Sequence, residues 1–74
     1  MGLNKLDLTE TIWPYCLLEC NKAVDELSGD EELEVLVDDA DVFKQICMLV
    51  QKTFRRSYTA KIDNGVYHIL IRIL

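Results

Sequence analysis

Leu33-Glu34-Val35-Leu36-Val37-Asp38-Asp39 is the stretch on which the fold turns. Its β-branched content and near-alternation make a strand, with Leu33, Val35 and Val37 on an inner face and Glu34 and Leu36 on the other. Asp38, Asp39 and Asp41 then surround a helix start, where carboxylates cap unpaired N–H groups and complement the dipole. No metal site is expected from them, because no further ligand stands at a metal-binding spacing. The helix so opened is expected from about Ala40 to Phe54. Its apolar stripe is Val42, Phe43, Ile46, Leu49, Val50 and Phe54, with Cys47 on the flank and Met48 pointing outward.

Upstream, Ser28-Gly29-Asp30 stops an earlier helix that runs from Pro14 to about Leu27. Turning each residue through about 100° puts Cys20, Val24 and Leu27 at the centre of its apolar stripe. Trp13, Cys16, Leu17 and Ala23 fall on the flanks. Pro14 marks the start, since a proline in a first helical turn lacks an N–H that would have no partner there anyway. Before it, Leu6-Asp7-Leu8 alternates and reads as a short strand with Leu6 and Leu8 inward, joined to the helix by Thr9 to Ile12. Downstream, Ser57 to Ile62 alternates again, with Tyr58, Ala60 and Ile62 on one side. Asp63-Asn64-Gly65 is a tight-turn signal, and Val66 to Leu74 returns as the longest strand. Tyr67, Ile69, Ile71 and Ile73 make its inner row, leaving Val66, His68, Leu70, Arg72 and Leu74 on the other face.

The order is βαβαββ. With 74 residues, half of them apolar, the chain has room for one domain and one modest core. Right-handed crossovers put consecutive helices on the same side, so the expected architecture is an α/β two-layer sandwich: one mixed four-stranded sheet with two helices on one face. The other face stays open and carries Glu34, Leu36, His68, Leu70 and Arg72.

A formal charge of −5 argues against a general nucleic-acid binder, which needs Lys and Arg gathered on one surface. Lys52, Arg55 and Arg56 cluster at an expected helix end, where they complement the dipole. No apolar run is long enough to span a bilayer, and no signal-peptide pattern opens the chain, so a cytoplasmic protein without membrane contact is expected. The three cysteines are then reduced thiols rather than a disulfide framework. No cofactor and no metal are expected.

Any chemistry should sit at Thr11-Ile12-Trp13-Pro14-Tyr15-Cys16, where strand gives way to helix. A thiol in the first turn of a helix has its thiolate stabilised by the dipole, which makes Cys16 the candidate catalytic residue. The competing reading is that Cys16 is a small apolar residue at the edge of the core. Cys20 and Cys47 are packing residues. A Cys16–Cys20 bridge would strain the helix. A zinc site of Cys16, Cys20, Cys47 and His68 is not expected, because His68 faces the open side as a solvated strand residue. Trp13, Pro14 and Tyr15 are candidate binding residues, since large aromatic side chains at a helix start suit an interface.

The run Leu6-Asp7-Leu8, Pro14, Leu17-Leu18, Lys22-Ala23-Val24, Leu33 to Asp39, and Asp63 to Arg72 resembles the TusA/SirA-like sulfur-carrier family over nearly the whole chain. The resemblance implies a βαβαββ sandwich and a place in sulfur relay, with a cysteine that accepts sulfur as a persulfide and passes it to a partner protein. That family's signature is Cys-Pro-x-Pro at the start of the first helix. Here the four positions read Trp13-Pro14-Tyr15-Cys16, so the carrier cysteine is replaced by Trp13 and the second proline by Cys16. The family's Asp-Asp-Pro before the second helix is here Asp38-Asp39-Ala40.

Two functions follow from the resemblance. One is sulfur trafficking between protein partners, sulfurtransferases or sulfur acceptors, with Cys16 in the carrier role. The other is a non-catalytic binding module that keeps the fold and its docking surface. A monomer is the expected state.

Overall fold

The computed structural model describes residues 2–12, 14–27, 31–53 and 57–72. Their elements are β1 (Gly2–Asp7), α1 (Tyr15–Asp25), β2 (Glu31–Val37), α2 (Ala40–Met48), a π-helical segment (Leu49–Thr53), β3 (Ser57–Asp63) and β4 (Val66–Arg72). Trp13, the Ser28-Gly29-Asp30 stop, Phe54, Arg55, Arg56, Ile73 and Leu74 lie outside the described residues.

The strands form one sheet in the order β1-β2-β4-β3, with β1 parallel to β2 and the other pairs antiparallel. β2 takes its inner row from alternation: Leu33, Val35 and Val37 are buried, and Ile71, Ile69 and Tyr67 of β4 stand opposite them. The expected architecture, a mixed four-stranded sheet under two helices, is the one observed. Cys20 and Val24 of α1, Ile46 of α2 and Val50 after it complete the buried cluster. Phe43 stacks on Tyr67 with ring centroids 4.3 Å apart, sealing one side of it.

Local chemistry sets most boundaries. Asp39 caps α2 by accepting hydrogen bonds from the Asp41 and Val42 N–H groups at 2.8 and 3.2 Å. Asn64 and Gly65 both take positive φ, 51° and 77°, the pair that a two-residue hairpin turn with the right twist requires.

The structure corrects three details. β1 is longer than Leu6-Asp7-Leu8, because parallel pairing from Gly2↔Glu31 to Asp7↔Leu36 orders residues whose own pattern is weak. α1 begins after Pro14, which is its N-cap (φ −94°, ψ 9°). It ends at Asp25, where the Leu27 N–H bonds the Val24 carbonyl and tightens the last turn. The second helix widens after Met48 into the π-helical segment, so Leu49 leaves the stripe and is only half-buried while Val50 stays fully buried. Ala60 and Ile62 share a face with Tyr58 but are exposed, Ile62 by 59%. β3 is an edge strand and α2 packs on β2 and β4, so the helix layer reaches Tyr58 and no further along β3.

Candidate functional site

The start of α1 is built from β1 outward. Leu8 extends the parallel ladder through its N–H to the Leu36 carbonyl (2.8 Å), and the chain then turns with the Thr11 N–H on the Leu8 carbonyl (3.1 Å). Asp7 fixes that turn by accepting from the Thr9 hydroxyl at 2.6 Å and the Thr9 N–H at 2.9 Å. These bonds favour its charged form and lower its pKa, the hydroxyl most.

No side chain caps α1. The Cys16 N–H bonds the Ile12 carbonyl (3.3 Å), and the Leu17 and Leu18 N–H groups share the Pro14 carbonyl (3.0 and 3.4 Å). First-turn donors that could have steadied an anion are therefore largely taken by the backbone.

Cys16 lies in the first turn of the helix, as expected, but it is not near the surface. It is fully buried. It lies one helical turn before Cys20 on the same row as Val24, and a short side chain tilted toward the helix N-terminus stays under cover even at the flank of a stripe. Cys20 is fully buried too, and Cys47, placed on the flank by its spacing, is 9% exposed. All three thiols are free. Pro14 and Tyr15 are exposed, Tyr15 by 58%, and Trp13 lies outside the described residues.

Spacing alone missed two features of this region. Ile12 (70% exposed) and Leu18 (61%) flank Tyr15, so the helix start presents apolar surface. Tyr15 and Leu18 are three residues apart and share a helix face, a relation visible in the sequence once the register of α1 is known. The second feature is the bond from the Tyr58 hydroxyl to the Cys47 sulfur, which joins β3 to α2 and needed the tertiary structure to be seen.

Burial pushes the Cys20 thiol up to about 11 from an ordinary 9.0, and neighbouring Cys16 adds to the effect. Burial also raises Cys47, against the Tyr58 bond, which pulls it down. The same bond raises Tyr58. A thiol held protonated by the fold favours folding until the unfolded chain begins to release that proton, so stability should fall as pH rises from 9 toward 11. For Cys20 the loss amounts to about 3 kcal/mol. Urea denaturation across that range should show the decline, and Cys20→Ala should flatten its larger part.

On the open face, His68 is half-buried rather than simply solvated. Its Nδ1 lies 3.5 Å from a Glu34 carboxylate oxygen, whose partner oxygen is 3.5 Å from Lys5 Nζ, and Arg72 pairs with Glu32. A depression of about 370 Å³ is lined there by Glu34, Thr59, Lys61, His68 and Leu70. Among the described residues no cluster of three or more His, Cys, Asp or Glu is placed to hold a metal ion. No described helix is long and apolar enough to cross a membrane.

No curated protein matches the sequence. A SirA-like protein from Desulfitobacterium hafniense shares the fold, with a TM-score of 0.79 over 96% of this chain and 95% of that one, at 22% identity. The sequence profile of sulfurtransferase TusA matches residues 4–73. Its members are sulfur carriers that act with partner proteins. With that match spanning nearly all of its length, the chain belongs to the sulfurtransferase TusA family.

Proposed function

We propose that this chain serves sulfur transfer between proteins as a docking module that does not itself carry the sulfur. The observation that supports this most is the burial of every thiol, in a chain where the resemblance sets Trp13 at the family's cysteine position. To take sulfur from a donor persulfide, a thiolate must attack the outer sulfur atom while the donor's thiolate leaves, and the attacking atom has to reach that bond. Fully buried Cys16 and Cys20 cannot do so while the helix is packed. The start of α1 instead offers Ile12, Tyr15 and Leu18, an exposed apolar group with an aromatic anchor of the kind that dominates interfaces. Trp13 and Pro14 belong to the same segment.

One observation favours the second reading, a carrier role for Cys16: it stands in the first turn of α1, within the segment where the resemblance sets the family's signature. Incubation with a persulfide-loaded sulfurtransferase and intact-mass analysis distinguishes the two. The expected result is an unchanged mass, with binding to the sulfurtransferase that Tyr15→Ala weakens about tenfold. One added sulfur that disappears in Cys16→Ser would establish the carrier instead. Added sulfur that survives Cys16→Ser and vanishes in Cys47→Ser would defeat both readings of the helix start.

A further inference from the structure

β3 is an edge of the sheet, and among the described residues no strand pairs with its free side. Natural edges are usually protected by charged side chains, lysine above all, by proline, by a bulge or by a charge pointing into the core. β3 has no proline, bulge or inward charge over its seven residues: its inner row is Tyr58, Ala60 and Ile62, and its one lysine, Lys61, lies on the open face. The opposite edge differs, since β1 carries polar Asn4 in its inner row, hydrogen-bonded to Glu31 at 3.2 Å. Ile62 is 59% exposed on the face where Tyr58 is half-buried.

Hydrogen-bond parity narrows what can fit. Across the two-residue turn, Asp63 and Val66 are the closing pair, so residues 57, 59, 61 and 63 direct their backbone groups to β4. Tyr58, Ala60 and Ile62 direct theirs to the free edge. An antiparallel second β3 must therefore meet those three residues with its own three.

We propose that β3 pairs with β3 of a second copy of this chain about a two-fold axis at Ala60. In this register Ala60 faces Ala60, and each Tyr58 faces the other copy's Ile62, an aromatic–aliphatic cross-strand pair that covers the exposed side chain. Ser57 faces Asp63 and Thr59 faces Lys61, so the full strand is used and no like charges stand directly opposite. Shifting the axis to Lys61 would oppose two ammonium groups, and shifting it to Ile62 would run the partner strand into the Asn64-Gly65 turn. The two sheets would join into one of eight strands.

A single strand pair is a small interface, so the dimer should be weak and concentration-dependent. Sedimentation equilibrium of the wild-type chain from about 10 μM to 1 mM should show the mass rising from monomer toward dimer. Ala60→Pro removes only an outward N–H, a change that edge strands accommodate. Ile62→Lys places a charge against the partner's ring without entering the core. Both variants should remain monomeric throughout while keeping the wild-type circular dichroism, and if Ala60→Pro does not fold, Ile62→Lys decides. A wild-type chain that stays monomeric at 1 mM overturns the proposal, as does a dimer that persists unchanged in the folded variants.

Discussion

Ile71→Ala is expected to destabilise the domain by about 2–5 kcal/mol, whereas Leu70→Ala, one residue away, should cost about 1 kcal/mol. Ile71 is fully buried opposite Leu33 of β2, and its truncation leaves a cavity under the helices that the sheet cannot close. Leu70 lies half-buried on the open face opposite Glu34, where water replaces the lost methyl groups without a void. The larger loss approaches the whole stability of a domain of this size, so Ile71→Ala should be partly unfolded at 37 °C. Urea denaturation of both variants is the check. Equal losses would mean that something in solution covers the open face.

The native thiols should react with a bulky disulfide reagent at least about a thousandfold more slowly than the same thiols in urea. Burial leaves reaction to the small fraction of molecules that open, and for Cys20 the raised pKa further reduces the thiolate present at neutral pH. Cys47, the least covered of the three and placed beside an edge strand, should be first to react. Mass spectrometry after timed quenching gives the order. A Cys16 that reacts in the native protein as fast as in the unfolded chain would show that the first turn of α1 is open in solution. It would also restore the carrier reading.

The alternation in Leu33-Glu34-Val35-Leu36-Val37 and in Tyr67 to Ile71 states burial directly, because a sheet covered on one face has a period that admits a single assignment. Leu33, Val35, Val37, Ile69 and Ile71 are buried as that period requires. Capping chemistry was equally plain at Asp39, and turn chemistry at Asn64-Gly65. What escaped the sequence depends on distant elements. The depth of Cys16 is set by the sheet beneath it, and the exposure of Ala60 and Ile62 by a helix layer narrower than the sheet. Of the two readings that the sequence left open for Cys16, burial fits the packing one: Tyr15 lies at the surface and Cys16 beneath it.

The π-helical segment after Met48 separates chain length from fold. A backbone bond that spans five residues instead of four takes in one residue beyond what an α-helical path needs, so Leu49–Thr53 is slack held within an ordered element. A relative one residue shorter here could run an unbroken α-helix to the same end point, with Ile46 and Val50 still under cover. The count of residues between Ile46 and Ser57 is therefore a poor ruler for aligning this chain with others. By contrast, the interval from Ile69 to Ile71 is fixed by the pleat, where a single deletion would turn every later side chain to the opposite face.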